Sequence, residues 1–427
     1  MSENTDTYEL AVIGTGMAGM AATLFAANRG ISVAQAGTTG EIIFASGYFD
    51  LMGIHPLEEK KIWKDPWAAR KALIRDIPNH PYARVRQKDI LAAFEEIISF
   101  LQETGLQYCR MESQNSQALT PVGTVKTTYA VPQTMWAGVQ ALAEKPPCLV
   151  VGFKGLKGFS AHQVAGNLQH KWPKLRAVRI PFPGNLEGEL YAEQMARSLD
   201  FSGNREKLAL AVQPHLKDAK VVGMPAILGM YQTRDVLTDL EHHLGVPVFE
   251  IPTLPPSVPG LRLKETFEQG FQKKAVQQFS QKRVLKAQST PEGNFVLDIS
   301  RGETPEHQIQ AKGVILATGR FLGRGLSAER KRIRETLFDL PVFQPEARLD
   351  WHRKDFLDSR GHPLNRAGLE TDDRLRPVDA SGKPMFQRLF AAGAILAHQD
   401  WIRMKCGAGL AIATAYKAVD VFLKNVR

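Results

Sequence analysis

Apolar and polar positions divide the chain into blocks of different period. Leu10 to Ile13 is a short apolar run that can be buried on both faces, and it gives way to Gly14-Thr15-Gly16-Met17-Ala18-Gly19. An Ala-rich segment continues to Asn28, Arg29 and Gly30, and Ile31 to Ala34 is apolar again. This order predicts strand, glycine turn, helix and second strand, a βαβ unit. Residues 55 to 80, rich in Pro, Trp and Lys, read as irregular connection with a short helix. Ile90, Leu91, Phe94, Ile97, Ile98 and Leu101 recur at helical spacing before Gly105, which predicts a helix over 90–104.

From Ala118 to about Pro256 the texture is that of an independent α/β domain. Cys148 to Gly152, Ala177 to Ile180, Lys220 to Gly223 and Val246 to Ile251 carry buried-strand signals, and Asp235 to Leu244 is a helix closed by Gly245. A proline-rich stretch, Pro252 to Gly260, stiffens the route out of it. The segment 118–256 therefore reads as an inserted substrate or cap domain, with 1–117 and 257–427 forming one discontinuous domain.

In the second part of that domain Leu261 to Phe279 is expected as an amphipathic helix. Arg283 to Ala287 and Asn294 to Ile299 are expected as a hairpin around Pro291-Glu292-Gly293. Gly313 to Leu316 is a buried strand running into Ala317-Thr318-Gly319-Arg320, and Arg388 to Gly393 repeats the device. Cys406-Gly407-Ala408-Gly409 then opens a last Ala-rich helix, Leu410 to Leu423.

These turns carry the candidate chemistry. Gly14 permits a sharp turn, Gly16 removes the side chain that would block a pyrophosphate, and Gly19 lets the helix sit close to its strand. The free N–H groups of that helix would face a dinucleotide or flavin phosphate. Thr318 and Gly319 would add a second set of N–H groups, Gly393 a third, and the helix opened by Gly407 and Gly409 would face the pyrimidine end of a flavin. Ala45, Ser46 and Gly47 would let backbone approach a planar ligand; the other reading of that stretch is a turn between buried segments. One part of the fingerprint is missing. Where a carboxylate would take ribose hydroxyls the chain reads Gln35-Ala36-Gly37. The adenosine half is held differently, or the ligand lacks one, as in FMN; no Arg follows the strand to suggest NADP.

Composition narrows the class. Of 427 residues 44% are hydrophobic and 23% charged, an ordinary globular balance. Cys109, Cys148 and Cys406 are widely spaced, so neither a disulfide framework nor a metal centre is expected, and the compartment is read as reducing cytosol. A net charge of +10 favours anionic company. Lys154 with Lys157, and the run Arg320 to Arg334, read either as docking sites or as solvated helix faces. No basic stripe interleaves with aromatics, which disfavours nucleic acid. Met1 to Asp6 is polar and acidic, unlike a signal peptide, and the apolar run Leu10 to Ala27 holds three fingerprint glycines. Any membrane association is therefore expected to be peripheral.

Three glycine turns in this order resemble the two-dinucleotide-binding-domain flavoproteins of the glutathione-reductase and fumarate-reductase kind. That implies an α/β, Rossmann-like flavin-binding fold with the α/β cap inserted. ASGYFDLMG at 45–53, TLPPSVPGLRL at 253–263, ATGRFLGRG at 317–325 and the LFAAG…CGAGLAIATAYKA tail resemble, more closely, the B subunit of anaerobic, quinone-linked glycerol-3-phosphate dehydrogenase. The resemblance implies FMN, with FAD as alternative, and two partners. One is the catalytic A subunit; the other is the iron–sulfur C subunit, which attaches the complex to the membrane. It implies oxidation of sn-glycerol 3-phosphate to dihydroxyacetone phosphate, with electrons passed to quinone and on to fumarate or nitrate. His398 and His55 are the candidate bases, and Arg403 and Arg262 the candidate clamps for a small anionic substrate. Ala394 stands where larger relatives carry an acid toward the ribityl chain. The alternative is an electron-relay or scaffold role for this chain, with the oxidation carried out in the A subunit.

Overall fold

The structure is a computed structural model and describes residues 6–38, 40–183 and 189–426, apart from the side chains of Glu41 and Val426. The acidic stretch at residues 1–5 lies outside it. The chain divides into two compact units, one of Met1–Ile42, Asp50–Ile97 and Phe267–Arg427, the other of Ile43–Phe49 and Ile98–Thr266.

The first unit is built on a seven-stranded sheet. Asp6–Ile13 lies at its centre, parallel to Val33–Gly37 on one side and to His307–Leu316 on the other. Val276–Ser280 extends the first side in parallel. On the other side Phe295–Ser300 and Arg283–Ser289 follow antiparallel, while Leu389–Ala391 pairs in parallel with Val314 to Leu316. The central strand is inaccessible from Leu10 to Val12, as a strand covered on both faces must be. The helices Met17–Asn28 and Gly407–Val426 pack together, with the Phe25 and Tyr416 rings edge to face at 5.1 Å.

The second unit holds an all-parallel four-stranded sheet in the order Val248–Ile251, Val221–Pro225, Cys148–Phe153 and Leu175–Ile180. Two apolar clusters account for its faces, one including Leu149, Val151 and Met224, the other Cys148, Val150 and Trp172. Alternation along Cys148–Phe153 feeds both, which is why its six residues are all buried. Gly245, left-handed at φ 67°, closes Thr233–Leu244 as its position predicts.

Two expectations are corrected. The stretch 261–279 is not one helix: the helix Val258–Gln272 ends, and Val276–Ser280 is an edge strand held by pairing with Val33–Gly37. The second strand of the βαβ unit starts later than Ile31, because the Ile31 N–H closes the preceding helix on Ala26 O (3.1 Å). Among the described residues no helix is long and apolar enough to cross a membrane.

Candidate functional site

Three glycine turns converge in the first unit, because each follows the carboxyl end of one of three neighbouring parallel strands. Gly14 has φ 128°, and a Cβ there would run into the Ala317 carbonyl. A Cβ on Gly19 would meet the Gly14 carbonyl, and one on Gly393 (φ 77°) would press on Ala18 Cβ at 2.6 Å. The first turn thus lies directly on the second, and the third on the first helix. The Gly393 N–H is held by Thr414 Oγ1 at 2.9 Å.

Gly16 differs from its neighbours. A Cβ there would meet nothing within 4 Å, and its φ of −77° suits any residue. It is the N-cap of Met17–Asn28, which has no side-chain cap and no acid in its first turn. The space beside Gly16 is thus open and the positive end of the helix carries no side-chain cap, features that suit a phosphate. Thr318 Oγ1 is buried without a hydrogen-bond partner, and Gly325 packs beside it. Open glycine, uncapped helix and orphaned hydroxyl fit a phosphate-bearing cofactor.

Arg320, read from the sequence as the end of the second glycine turn and the first of a basic run, is an internal clamp. Its Nε donates to Ala394 O (2.8 Å), its Nη2 to Gln399 O (2.7 Å) and its Nη1 to Asn365 O. It joins the turn around Gly319 to the turn around Gly393. The carbonyl of Ala394 also accepts from Gln399 Nε2 at 3.1 Å. The rest of the run corrects the solvated-helix reading: it forms a hairpin of Leu326–Ala328 and Ile333–Glu335. Arg334 pairs with Asp339 at 2.9 Å, and Lys157 of the other basic pair is joined to Glu189.

At the end of the second strand a Cβ on Gly37 would lie 2.8 Å from Thr15 Cγ2 and 3.0 Å from Thr15 Oγ1. Thr15 Oγ1 in turn donates to Thr38 O. The place of the missing carboxylate is filled by the first turn itself.

Gly407 and Gly409 are narrow for packing reasons. A Cβ on Gly407 would meet Trp401 Cε3 at 2.8 Å, and one on Gly409 would meet the Tyr82 hydroxyl and Asp50 O. The Gly409 N–H already donates to Asp50 O at 2.7 Å, so that N–H is not turned toward a ligand.

His398 sits at φ 62° with Nε2 2.7 Å from Glu370 Oε1 and its ring 4.1 Å from that of Phe343. It lines a cavity of about 330 Å³ together with Arg84, Glu370, Asp372 and Asp379. Arg403 follows the Asp400 cap of Trp401–Met404 and donates to Asp400 Oδ2 at 3.1 Å. His55 is buried with Nε2 2.9 Å from Asp76 Oδ2. The carboxyl of Asp76 is pulled down to about 2, first by Arg75 and then by His55. His80, fully buried, caps Pro81–Arg84 by accepting the Tyr82 N–H, and burial with neighbouring cations lowers it to about 3. No spacing in the sequence marks Glu370 or Arg320, because their partners lie 28 and 45 to 79 residues away; His80 and Asp400 cap the short helical turns that follow them, a local signal the sequence reading passed over.

In the second unit Gly47 (φ 84°) fits between Pro132 and Pro259, and its carbonyl accepts from the Tyr108 hydroxyl at 2.8 Å. Ser46 beside it is half-buried. Arg262 departs from the expected anion clamp: it is 2% exposed, paired with Glu250 through two bonds of 2.7 and 2.8 Å. Its Nε and Nη2 donate to Gly229 O at 2.9 and 2.6 Å. Burial would raise the Glu250 carboxyl, but Arg262, Thr134 and the Leu228 N–H outweigh it, and the group titrates below its ordinary value. This guanidinium is built into the core of the unit.

The family described as an FAD binding domain matches residues 9–410. A probable anaerobic glycerol-3-phosphate dehydrogenase B subunit of Halobacterium salinarum (strain ATCC 29341 / DSM 671 / R1) is 30% identical over 426 residues, 96% of each chain. The anaerobic glycerol-3-phosphate dehydrogenase B subunit of Vibrio vulnificus (strain YJ016) is 28% identical over 429 residues, 97% of this chain and 95% of its own. A solved 3-ketosteroid delta1-dehydrogenase from Sterolibacterium denitrificans aligns at TM-score 0.44 and 12% identity over 99% of this chain and 100% of that one. The chain belongs to the FAD binding domain family and, within it, to the B subunits of anaerobic glycerol-3-phosphate dehydrogenase.

Proposed function

We propose that this chain is the flavin-bearing member of a glycerol-3-phosphate:quinone oxidoreductase, working with the catalytic A subunit, and with the iron–sulfur C subunit. The last of these would hold the complex at the inner face of the cell membrane. The observation that carries this reading is the similarity to B subunits along 96% of both chains. Gly14, Gly16, Gly19, Thr318, Gly319 and Gly393 would hold the cofactor, with Ser46, Gly47, Gly407 and Gly409 shaping its surroundings. We assign FMN rather than FAD, because the crowding of Gly37 by Thr15 leaves no carboxylate for an adenosine ribose.

When bound, the flavin supplies the acceptor for the two electrons removed from the secondary carbinol. His398, oriented by Glu370, takes the hydroxyl proton, and Arg403, oriented by Asp400, attracts the phosphate. Residues 118–256 form the substrate or cap domain in this reading. A second reading, an electron relay with oxidation in the A subunit, is favoured by one observation: Arg262 and Arg403 both already hold internal carboxylates.

The test is to release and identify the chromophore of the purified chain, then add glycerol 3-phosphate without oxygen and follow its visible absorbance. FMN that bleaches supports substrate oxidation here. FMN that bleaches only after addition of the A subunit selects the relay. Released FAD overturns the FMN assignment, and a colourless chain overturns the flavin-bearing role.

A further inference from the structure

The basic hairpin leads into a loop that supports itself. Trp351 is 3% exposed, its carbonyl accepts the Leu364 N–H at 3.1 Å, and Arg348 lies 5.0 Å over its ring. His362 accepts the Arg353 N–H on Nδ1 (3.0 Å) and places Nε2 3.0 Å from Phe356 O. Arg353 Nε donates to Gly361 O at 3.0 Å, and the Gly361 N–H to Asp358 O. At the loop's base a Cβ on Gly361 would come within 2.6 Å of Asp400 Oδ2 and 3.1 Å of Arg403 Cδ.

This fixed frame carries apolar side chains into water. Phe356 and Leu357 are each 85% exposed at its tip, and Leu349, before Trp351, is 93% exposed. A loose turn exposes apolar groups by default; one pinned by its own hydrogen bonds presents them in a set geometry, at little entropic cost to a partner. Cations border them. Arg348 Nη1 donates to Glu329 O (2.9 Å), which brings the hairpin turn alongside. There Arg330 and Lys331 are exposed, as is Lys354 in the loop, and none makes an ion pair among the described residues.

We propose that the loop from Trp351 to Leu364 is a docking surface for another protein of the same dehydrogenase, one offering an apolar cleft rimmed by carboxylates. The proposal rests on the reading of this chain as a working member of that complex. A frame pinned by its own hydrogen bonds holds Phe356 and Leu357 in one geometry, which suits a shaped cleft and not a fluid bilayer, so a protein is the better occupant. Because the base of the loop lies on Asp400 and Arg403, an occupant of the tip is mechanically connected to the candidate anion clamp.

The experiment compares the full chain with F356S/L357S and with K354E for binding to purified A and C subunits. Flavin content and unfolding midpoint of each chain alone serve as folding controls. The double variant is expected to bind at least roughly tenfold more weakly, since exposed aromatic anchors dominate interfaces. K354E is expected to slow association and reduce its salt dependence. Wild-type affinity in F356S/L357S overturns the proposal, as does wild-type binding to phosphatidylglycerol vesicles that the double variant loses. If the wild-type chain associates with neither partner, the reading of its function falls as well, an outcome distinct from a variant that still binds.

Discussion

Arg320 and Ala394 are 74 residues apart, yet the guanidinium Nε of one donates to the carbonyl of the other at 2.8 Å. The second and third glycine turns are therefore held in register by a side chain and not by strand pairing alone. Arg320→Gln abandons the carbonyls of Asn365 and Gln399 as well. We expect a loss of about 1–3 kcal/mol, from three part-buried carbonyls that each lose a charged donor. Urea unfolding with and without added flavin measures it, and a variant as stable as the parent would show that the strands alone suffice.

The glycines of the first turn separate folding from binding. Gly14→Ala forces a side chain into the Ala317 carbonyl at a φ of 128°, and should cost roughly 3 kcal/mol or more. Gly16→Ala meets nothing within 4 Å, so stability should stay within about 0.5 kcal/mol while retained flavin falls at least roughly tenfold. Unfolding midpoint and chromophore content of the two proteins, read together, decide this; unchanged flavin content in Gly16→Ala would remove it from the cradle.

Arg262 and Glu250 are expected to behave as a structural pair. Glu250→Gln leaves a buried guanidinium without its counter-ion and should cost about 3–5 kcal/mol. Because Glu250 titrates below its ordinary value, its contribution is complete above the unfolded carboxyl value of about 4.3. That contribution is lost as pH falls through the folded value. Acid unfolding of the parent should accordingly be steeper below about pH 4 than that of Glu250→Gln.

His80 gives the opposite proton balance to the usual surface histidine. Lowered to about 3 in the fold, it stays neutral while the unfolded chain takes up a proton below about 6.5. Stability is thus full above that value and declines as pH falls toward 3. Between pH 7.5 and 5.5 this one group should remove about 1.4 kcal/mol. His80→Asn keeps a cap for the Tyr82 N–H and should flatten that part of the profile, as denaturant midpoints at the two pH values would reveal.

What the sequence made legible was local. Gly14 declares a turn because its backbone geometry depends on the residue itself, and Gly245 ends a helix for the same reason; Gly16 and Gly19 add to the signal by their spacing from it. Distant pairings left no such mark. The apolar positions up to Phe279 suit a helix until pairing with Val33–Gly37 turns 276–280 into a strand. Arg320 looked like one cation among several, since its three carbonyl partners lie at 365, 394 and 399. Arg262 was expected to attract an anion, and so it does, but the anion is Glu250 of its own core.

The contact of Thr15 with Gly37 limits how this protein can change. A carboxylate cannot be grafted at position 37 by a single substitution, because its Cβ would overlap the threonine methyl at 2.8 Å. Thr15 would have to shrink first, releasing its bond to Thr38 O. Access to a carboxylate at this position is therefore guarded by the order in which mutations can arrive, and the route to one must pass through an intermediate with a loosened first turn.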